Sequence, residues 1–320
     1  MTWYLVVFLF LSSCIVLSWL SGSLIKSLVG VARYMHWREF IIAFFVMAFA
    51  TSLPNLFIDV SAAFQGKPEL AFGDIIGGNL IDLTIVLAIA VFFSKKGLSA
   101  ESEMVQKSAI FTAIIAVLPL LLIFDGKLDR VDGMVLIFAF IFYSCWLFSK
   151  KGHFKKTYRS HTEAEKMNFS DFLWNAVKIV VLVVLLLAAS QAVVISAQFF
   201  SDQLGISLAL VGILIVGLGN TFPEMYFAAI SARKEENWLV LGDLMGSIII
   251  CATLVLGIIA LLFPFEITDF SPFVTARMFL VIAALFSLLF IRTGRKITKK
   301  EGLFLLFIYV VFLITEIFIK

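Results

Sequence analysis

The sequence predicts an all-α polytopic membrane protein, with ten transmembrane helices arranged as two inverted five-helix repeats. Three features lead to this prediction: an apolar composition, ten long apolar runs and an internal repeat. Of the 320 residues, 62% are hydrophobic and 15% are charged, and the mean hydropathy is +1.06. Soluble domains contain about 25% charged residues, so the composition excludes an ordinary soluble domain.

Each apolar run is long enough to cross a bilayer, which takes about 20 residues in a helix. The runs lie near residues 3–22, 39–65, 70–94, 105–124, 130–149, 172–200, 205–232, 238–263, 273–292 and 301–319. The first run has no positive residues before it and no evident cleavage site, so we expect a span rather than a removable signal peptide. Because Cys14, Cys145 and Cys251 all fall inside runs, we expect no disulfide framework.

Basic residues predict the orientation, because Lys and Arg accumulate in cytoplasmic loops. Nineteen of them lie in loops on one side of the ten-span arrangement, and five lie on the other side. This excess predicts that both termini are outside and that residues 150–170 form a basic cytoplasmic linker between two halves, 1–149 and 171–320. The expected surroundings are a lipid bilayer, and the net charge of +3 gives no argument for nucleic-acid binding.

An internal repeat relates the two halves of the chain. A shift of 169 residues places TSLPN (51–55) on NTFPE (220–224), and GDIIGGNLID (73–82) on GDLMGSIIIC (242–251). The first copy lies in spans 2 and 3, and the second in spans 7 and 8. Because the copies are five spans apart, they must enter the membrane from opposite sides. Inverted repeats of this kind are typical of secondary transporters, whose sites form near the midplane from broken helices.

The two prolines inside apolar runs predict broken helices. Pro54 and Pro223 each remove a backbone N–H and disrupt the helix around them, and the carbonyls freed in this way need partners inside a membrane. Oxygen-rich groups with one or two carboxylates suit hard cations such as Na⁺ and Ca²⁺. We therefore predict a cation site at the breaks and on their partner spans. Its candidate ligands are Thr51, Ser52, Asn55, Asp82, Asn220, Thr221, Glu224, Ser247 and Cys251.

Within this set, Glu224 and Asp82 are the leading candidates, because a carboxylate inside a membrane is by default a functional hypothesis. Together with Asn55, they are the predicted ligands of the metal ion. Asp59 lies one helical turn after Asn55, but it has no acidic counterpart in the second copy, where Ala228 stands. Asp59 is therefore not included among the candidate ligands.

Other members of the set have alternative explanations. Asp74 and Asp243 follow glycine near the starts of spans 3 and 8, where helix N-capping explains them as well as cation binding does. They are second-tier candidates. Ser52 and Thr221 could bond back to a carbonyl and bend the helix, although the neighbouring prolines favour contact with a cation.

TSLPN and NTFPE resemble the two α-repeat signatures of the cation/calcium exchanger superfamily, typified by sodium/calcium exchangers. GDIIGGNLID and GDLMGSIIIC resemble the segments that follow those signatures. About forty residues in each half carry the resemblance. The resemblance implies two inverted five-helix repeats and exchange of Ca²⁺ against Na⁺ or H⁺. It also implies a prokaryotic plasma membrane, no cofactor besides the transported ions, and no enzymatic activity.

The resemblance also implies which residues bind cations, and several positions depart from the family. The family's glutamates fall on Asn55 and Glu224, its hydroxyl pairs on Thr51–Ser52 and Asn220–Thr221, its span-3 serine and amide on Gly78 and Asp82, and its span-8 serine and carboxylate on Ser247 and Cys251. Two carboxylates remain, which is enough to neutralise one divalent ion. Balancing several Na⁺ ions is harder with so few, and a thiol is a better ligand for softer metals.

The sequence leaves other functions open. A member of the family could be coupled to H⁺ or carry another metal, or it could be inactive in transport and act as a membrane binding or sensory protein. An intramembrane aspartyl protease is a third class, because Gly-Asp occurs twice in apolar surroundings. Such proteases usually have a further glycine two residues earlier, where this chain has Ala71 and Val240. The sequence contains no ATP-binding P-loop and no haem motif.

Overall fold

The computed structural model describes residues 2–34, 49, 51–149, 169–267 and 271–318. The start of the predicted second span, near 39–48, and residues 150–168 of the predicted linker lie outside the described residues. Eight helical segments in the described part are long and apolar enough to cross a membrane. The structure therefore has the helical, multi-pass character that the composition predicts.

The described residues of the first half form six helices. Its helices are α1 (Trp3–Tyr34), α2 (Leu53–Phe64), α3 (Pro68–Ile81), α4 (Leu87–Phe93), α5 (Glu103–Leu122) and α6 (Arg130–Ser149). A π-helical turn, Asp82–Val86, joins α3 to α4 without ending the span, and a 3₁₀ turn, Ile123–Asp125, follows α5.

The described residues of the second half form eight helices. Its helices are α7 (Phe169–Leu204), α8 (Leu208–Val211), α9 (Gly217–Asn220), α10 (Phe222–Arg233), α11 (Asn237–Ile249), α12 (Leu256–Leu262), α13 (Ser271–Thr293) and α14 (Lys299–Phe318). π-Helical turns join α8 to α9 at Gly212–Val216 and α11 to α12 at Ile250–Val255.

The π turns after α3 and α11 lie at equivalent positions of the internal repeat. In each of them a threonine hydroxyl donates to the carbonyl four residues earlier: Thr84 to Leu80, at 2.5 Å, and Thr253 to Ile249. A hydroxyl bonded in this way competes with the backbone N–H for the same carbonyl and can bend the helix. The turns place Asp82 and Cys251 at irregular points of otherwise regular spans.

The longest helices lie at the periphery. α1 and α7 contain 32 and 36 residues, and at 1.5 Å per residue they are about 48 and 54 Å long, well beyond the roughly 30 Å of hydrocarbon. The first span therefore continues beyond the predicted end at residue 22. The two helices pack together through Trp3, Phe10 and Phe200, with ring centroids 5.6 Å apart in both contacts to Phe200.

The third and eighth spans form the centre of the molecule. In the apolar windows of Pro68–Phe93 and Leu239–Leu262, 83% and 78% of the residues are buried, against 39% and 33% for the first and sixth spans. Glycines bring backbones into contact here. A Cβ added at Gly73 would lie 2.3 Å from the carbonyl oxygen of Ala209. This close packing places α3 directly against the broken span formed by α8, α9 and α10.

Short strands connect loops that are distant in sequence. β1 (Leu98–Ser99) pairs with β4 (Lys296–Ile297), and β2 (Lys127–Leu128) pairs with β3 (Phe265–Glu266), both antiparallel. The prediction of an all-α protein is therefore correct for the spans but missed these two-residue strands. Strands this short carry no periodicity that a sequence pattern could show.

Candidate cation site

Two helix breaks create the centre of the candidate site. The helices after the breaks, α2 and α10, begin at Leu53 and Phe222, so that each proline is the second residue of its helix. Proline is tolerated in the first turn because the N–H that it lacks would have no intrahelical partner there. The breaks therefore fall at Thr51–Ser52 and at Thr221, just before Pro54 and Pro223, and not at the prolines themselves.

Two carboxylates from different halves meet beside Ser247. Glu224, in α10, is 0% exposed, and the Ser247 hydroxyl, from α11, donates to its Oε1 at 3.3 Å. Asp82, at the start of the π turn after α3, also lies within hydrogen-bonding range of Ser247 and within electrostatic range of Glu224. We call Glu224 and Asp82 the central pair. Its position joins the first half of the chain to the second.

A neutral pair occupies the equivalent positions of the repeat. Asn55, in α2, corresponds to Glu224, and Cys251, in the π turn after α11, corresponds to Asp82. Both side chains are buried, and the Asn55 Nδ2 donates to the Cys251 Sγ at 3.6 Å. The repeat therefore brings the same two positions near each other twice, once as two acids within electrostatic range and once as an amide bonded to a thiol. The negative charge is concentrated on the Glu224 side.

Several buried oxygens at this centre have no hydrogen-bond donor. They are Asp82 Oδ1, Glu224 Oε2 and Asn55 Oδ1. A buried acceptor without a partner is costly, and more so if it is charged. No Lys, Arg or His of the described residues pairs with either acid of the central pair. A hard cation with oxygen ligands is the species that would satisfy these atoms.

The second-tier acids tie the two halves together. Thr51 Oγ1 donates to Asp243 Oδ1 at 2.9 Å, and Asn220 Nδ2 donates to Asp74 Oδ2 at 2.8 Å. These two bonds are equivalent under the shift of 169 residues. The N-capping alternative for both acids is wrong, because they lie well inside α3 and α11. The residues preceding those helices are Lys67 and Glu236.

Thr221 and Ser52 are the hydroxyl residues for which the sequence left helix bending as an alternative to cation binding. The Thr221 hydroxyl donates back to the carbonyl of Gly217 at 3.0 Å and lies 3.2 Å from that of Leu218. Thr221 therefore makes the backbone contact that the helix-bending alternative describes, and its oxygen lone pairs stay available, so the predicted cation contact stays a prediction. Ser52 is buried directly before α2.

Sequence reasoning missed the position of Asp59. Its side chain is 0% exposed and lies within hydrogen-bonding range of the Asp74 carboxyl group. The lack of an acidic counterpart at Ala228 led us to leave it out of the candidate ligands. The available signal was its spacing, since Asp59 lies one helical turn after Asn55 and so shares its face of α2.

A mostly apolar cavity reaches Asp82 from between α5, α11 and α13. Its polar lining side chains are Asp82, Thr112 and Ser287. Both hydroxyls donate to carbonyls of their own helices, Thr112 to Ser108 at 2.9 Å and Ser287 to Ala283. Of these three polar side chains, Asp82 is the one with a buried oxygen, Oδ1, that has no hydrogen-bond donor.

Comparison with known proteins identifies the family. The model of the family described as sodium/calcium exchanger protein matches residues 5–149 and 174–318, which is most of the chain. The protein belongs to the sodium/calcium exchanger family. Its members are cation antiporters rather than enzymes, and this exchanger is accordingly a multi-pass integral membrane protein.

Relatives extend over most of the exchanger. The sodium/calcium exchanger MaX1 of Methanosarcina acetivorans is 26% identical over 336 residues, covering 93% of this chain and 95% of that protein. The inner membrane protein YrbG of Escherichia coli is 24% identical over 257 residues, covering 78% and 77%. A structure of the sodium-calcium exchanger NCX_Mj, soaked with Na⁺ and Sr²⁺, has a TM-score of 0.62 at 23% identity and covers 97% of this chain and 98% of that one. The likeness to NCX_Mj shows a common fold.

The aspartyl protease alternative does not fit the hydrogen bonds of this exchanger. Such an enzyme needs its two Gly-Asp carboxyl groups side by side, sharing a proton. Here Asp74 bonds to Asn220, and Asp243 bonds to Thr51. The described residues also contain no group of three or more His, Cys, Asp or Glu side chains placed to hold a metal ion. A cation at the centre of the exchanger would therefore depend on two acids and on neutral oxygens.

Proposed function

We propose that the protein is a secondary antiporter that exchanges Ca²⁺ for Na⁺ by alternating access to a site near the membrane midplane. The observation that carries this proposal is the central pair. Glu224 and Asp82 are fully buried, share the Ser247 hydroxyl, and each keep one oxygen without a donor. Two carboxylates neutralise one Ca²⁺ ion, and oxygen ligands are those that Ca²⁺ prefers.

The proposed ligands come from the two repeated segments of the chain. Glu224, Asp82 and Asn55 would hold the divalent ion, with Ser247 between the two acids. The remaining predicted members, Thr51, Ser52, Asn220, Thr221 and Cys251, would shape the breaks around it. For Thr51 and Asn220 this means holding Asp243 and Asp74 across the interface between the halves. The same two residues move with the breaks when access alternates.

We also propose the ten-span, inverted arrangement, with residues 1–149 and 171–320 as the two repeats. It is supported by bonds that recur under the shift of 169 residues, and by the strands. β1 and β4 lie in loops six predicted spans apart, and β2 and β3 in loops four apart. Even separations put paired loops on the same side of the membrane. Both termini would lie outside a prokaryotic plasma membrane, with the 150–170 linker in the cytoplasm.

The proposal is tested by transport in reconstituted vesicles. The full chain is placed in proteoliposomes, and uptake of ⁴⁵Ca²⁺ is measured first with an outward Na⁺ gradient and then with a pH gradient. We expect uptake that requires the Na⁺ gradient and exceeds that of protein-free vesicles. Uptake with only the pH gradient would instead identify an H⁺-coupled exchanger. No Ca²⁺ uptake with either gradient would contradict Ca²⁺ exchange and leave another metal or a transport-inactive homologue.

A further inference from the structure

A second group of buried acids lies beside the central pair. Asp59 comes from α2, Asp74 from α3, and Asn220 from the end of α9. All three side chains are at least nine-tenths buried. The two carboxyl groups lie within hydrogen-bonding range of each other, and the Asn220 Nδ2 donates to Asp74 Oδ2 at 2.8 Å. Three separate elements therefore bring their polar ends to one place.

When both acids are ionised, most oxygens of this group are not satisfied by the protein. Both oxygens of Asp59, Asp74 Oδ1 and Asn220 Oδ1 have no hydrogen-bond donor. The Asn220 oxygen is an observation independent of the acids. The amide directs its N–H group at Asp74, and its buried carbonyl oxygen, on the same planar group, has no partner. Four oxygens without donors are a set that a hard cation would complete.

The surroundings of the pair supply no positive charge. The titratable groups that face it are Cys14 from α1, near Asp74, and Cys251 from the π turn after α11, which lies within electrostatic range of both acids. No Lys, Arg or His side chain of the described residues takes part. Two adjacent carboxylates in a low-dielectric interior repel each other, so a cation is needed for both to be ionised.

We propose that Asp59, Asp74 and Asn220 form a second cation position, which binds Na⁺. This inference rests on the Na⁺/Ca²⁺ exchange proposed above and assigns the Na⁺ ion a place. The central pair carries only enough charge for one divalent ion, because Asn55 and Cys251 are neutral. Asp59 and Asp74 supply two further carboxylates nearby. Cys251 is within electrostatic range of all four acids, so the two positions are neighbours and can be emptied and filled together.

The asymmetry of the repeat supports this assignment. At the equivalent position of the second half, Asp243 accepts from Thr51, and Ala228 stands where Asp59 would be. The pair of positions equivalent to Asp59 and Asp74 therefore contains a single carboxylate, that of Asp243. Asp59, the additional acid, lies near Asn55 and Cys251. These two residues are neutral where the equivalent positions, Glu224 and Asp82, are acidic.

The test is to measure Na⁺ and Ca²⁺ binding separately on the purified full chain. Binding of ²²Na⁺ is measured in Ca²⁺-free buffer, and binding of ⁴⁵Ca²⁺ in Na⁺-free buffer. The variants are Asp59→Asn and, as a second substitution, Asp59→Ala, which introduces the residue found at position 228. The matched control is Glu266→Gln, which removes an exposed carboxylate from β3. We expect Asp59→Asn to weaken Na⁺ binding by about tenfold or more and Ca²⁺ binding by less than about threefold.

Three results would overturn the inference. The first is unchanged Na⁺ affinity in both Asp59 variants while the unmodified protein binds Na⁺, which would leave the proposed exchange intact. The second is an equal loss of Na⁺ and Ca²⁺ affinity, which would mean that Asp59 acts on the whole site. The third is an unmodified protein that binds Ca²⁺ but no Na⁺ at all, which would also refute Na⁺ coupling itself.

Discussion

Replacement of Asp82 by asparagine tests whether the central pair is the divalent site. The substitution preserves the shape of the side chain but leaves Glu224 as the single carboxylate facing the ion, so a Ca²⁺ ion would retain one uncompensated charge in a buried site. Loss of one partner from a buried charge pair costs about 3–5 kcal/mol. At 1.4 kcal/mol for each factor of ten, Ca²⁺ binding should weaken by at least about 100-fold.

The same change can be followed by thermal unfolding in detergent. At a Ca²⁺ concentration 100-fold above the dissociation constant of the unmodified protein, the ion stabilises the folded state by about 2.7 kcal/mol. A variant that binds 100-fold more weakly would retain only about 0.4 kcal/mol of this effect. Without Ca²⁺, Asp82→Asn should be no less stable than the unmodified protein, because it removes a buried carboxylate whose Oδ1 has no donor.

A control for Asp82→Asn is provided by the repeat. Cys251 is its counterpart, and Cys251→Ser changes no charge and keeps an acceptor for the Asn55 amide. This variant should alter Ca²⁺ binding by less than about tenfold, since a neutral hydrogen bond contributes about 1 kcal/mol. Calcium binding by Asp82→Asn at nearly unchanged affinity would refute the assignment of Asp82 as a ligand.

Two further predictions concern the packing around the site. Thr51→Val leaves a buried oxygen of Asp243 without its donor, so we expect a lower thermal midpoint, from a loss of about 1–3 kcal/mol; an unchanged midpoint would contradict it. In Gly77→Ala the new Cβ would lie 2.3 Å from the carbonyl oxygen of Ile213, and overpacking of this kind costs about 1–3 kcal/mol. The control Gly78→Ala, whose nearest atom is 3.9 Å away, should fold normally. Equal midpoints for the two alanine variants would refute the close contact.

The parts of the fold that the sequence predicts are those with strong periodic or repeated signals. Apolar runs of about 20 residues indicate the spans, because a helix of that length crosses the hydrocarbon. The repeat predicts a second break at NTFPE once the first is recognised at TSLPN, because both copies contain the proline. The π turns at Asp82 and Cys251 were not predicted. The threonine hydroxyls that bond to carbonyls in these two turns are no signal for them, because such bonds occur in many regular helices too.

The candidate site could be predicted only in part for a similar reason. Their position as carboxylates inside apolar spans brought Glu224 and Asp82 into consideration, and the structure places them beside one hydroxyl. Asp59 was left out because the repeat has no acid at Ala228. Its contact with Asp74 depends on how α2 packs on α3, and periodicity within either helix does not determine that packing. The roles of Asp74 and Asp243 were also decided by contacts between the two halves.

The central claim is that Glu224 is the main counter-charge of a transported Ca²⁺ ion, and transport by Glu224→Gln tests it most directly. Unmodified protein and Glu224→Gln are reconstituted at equal density, and ⁴⁵Ca²⁺ uptake is measured at saturating Ca²⁺ under the same outward Na⁺ gradient. We predict Na⁺-dependent uptake by the unmodified protein and uptake at the level of protein-free vesicles by the variant. Substantial Na⁺-driven uptake by Glu224→Gln would contradict the account, because the ion would then be carried without the carboxylate at the centre of the site.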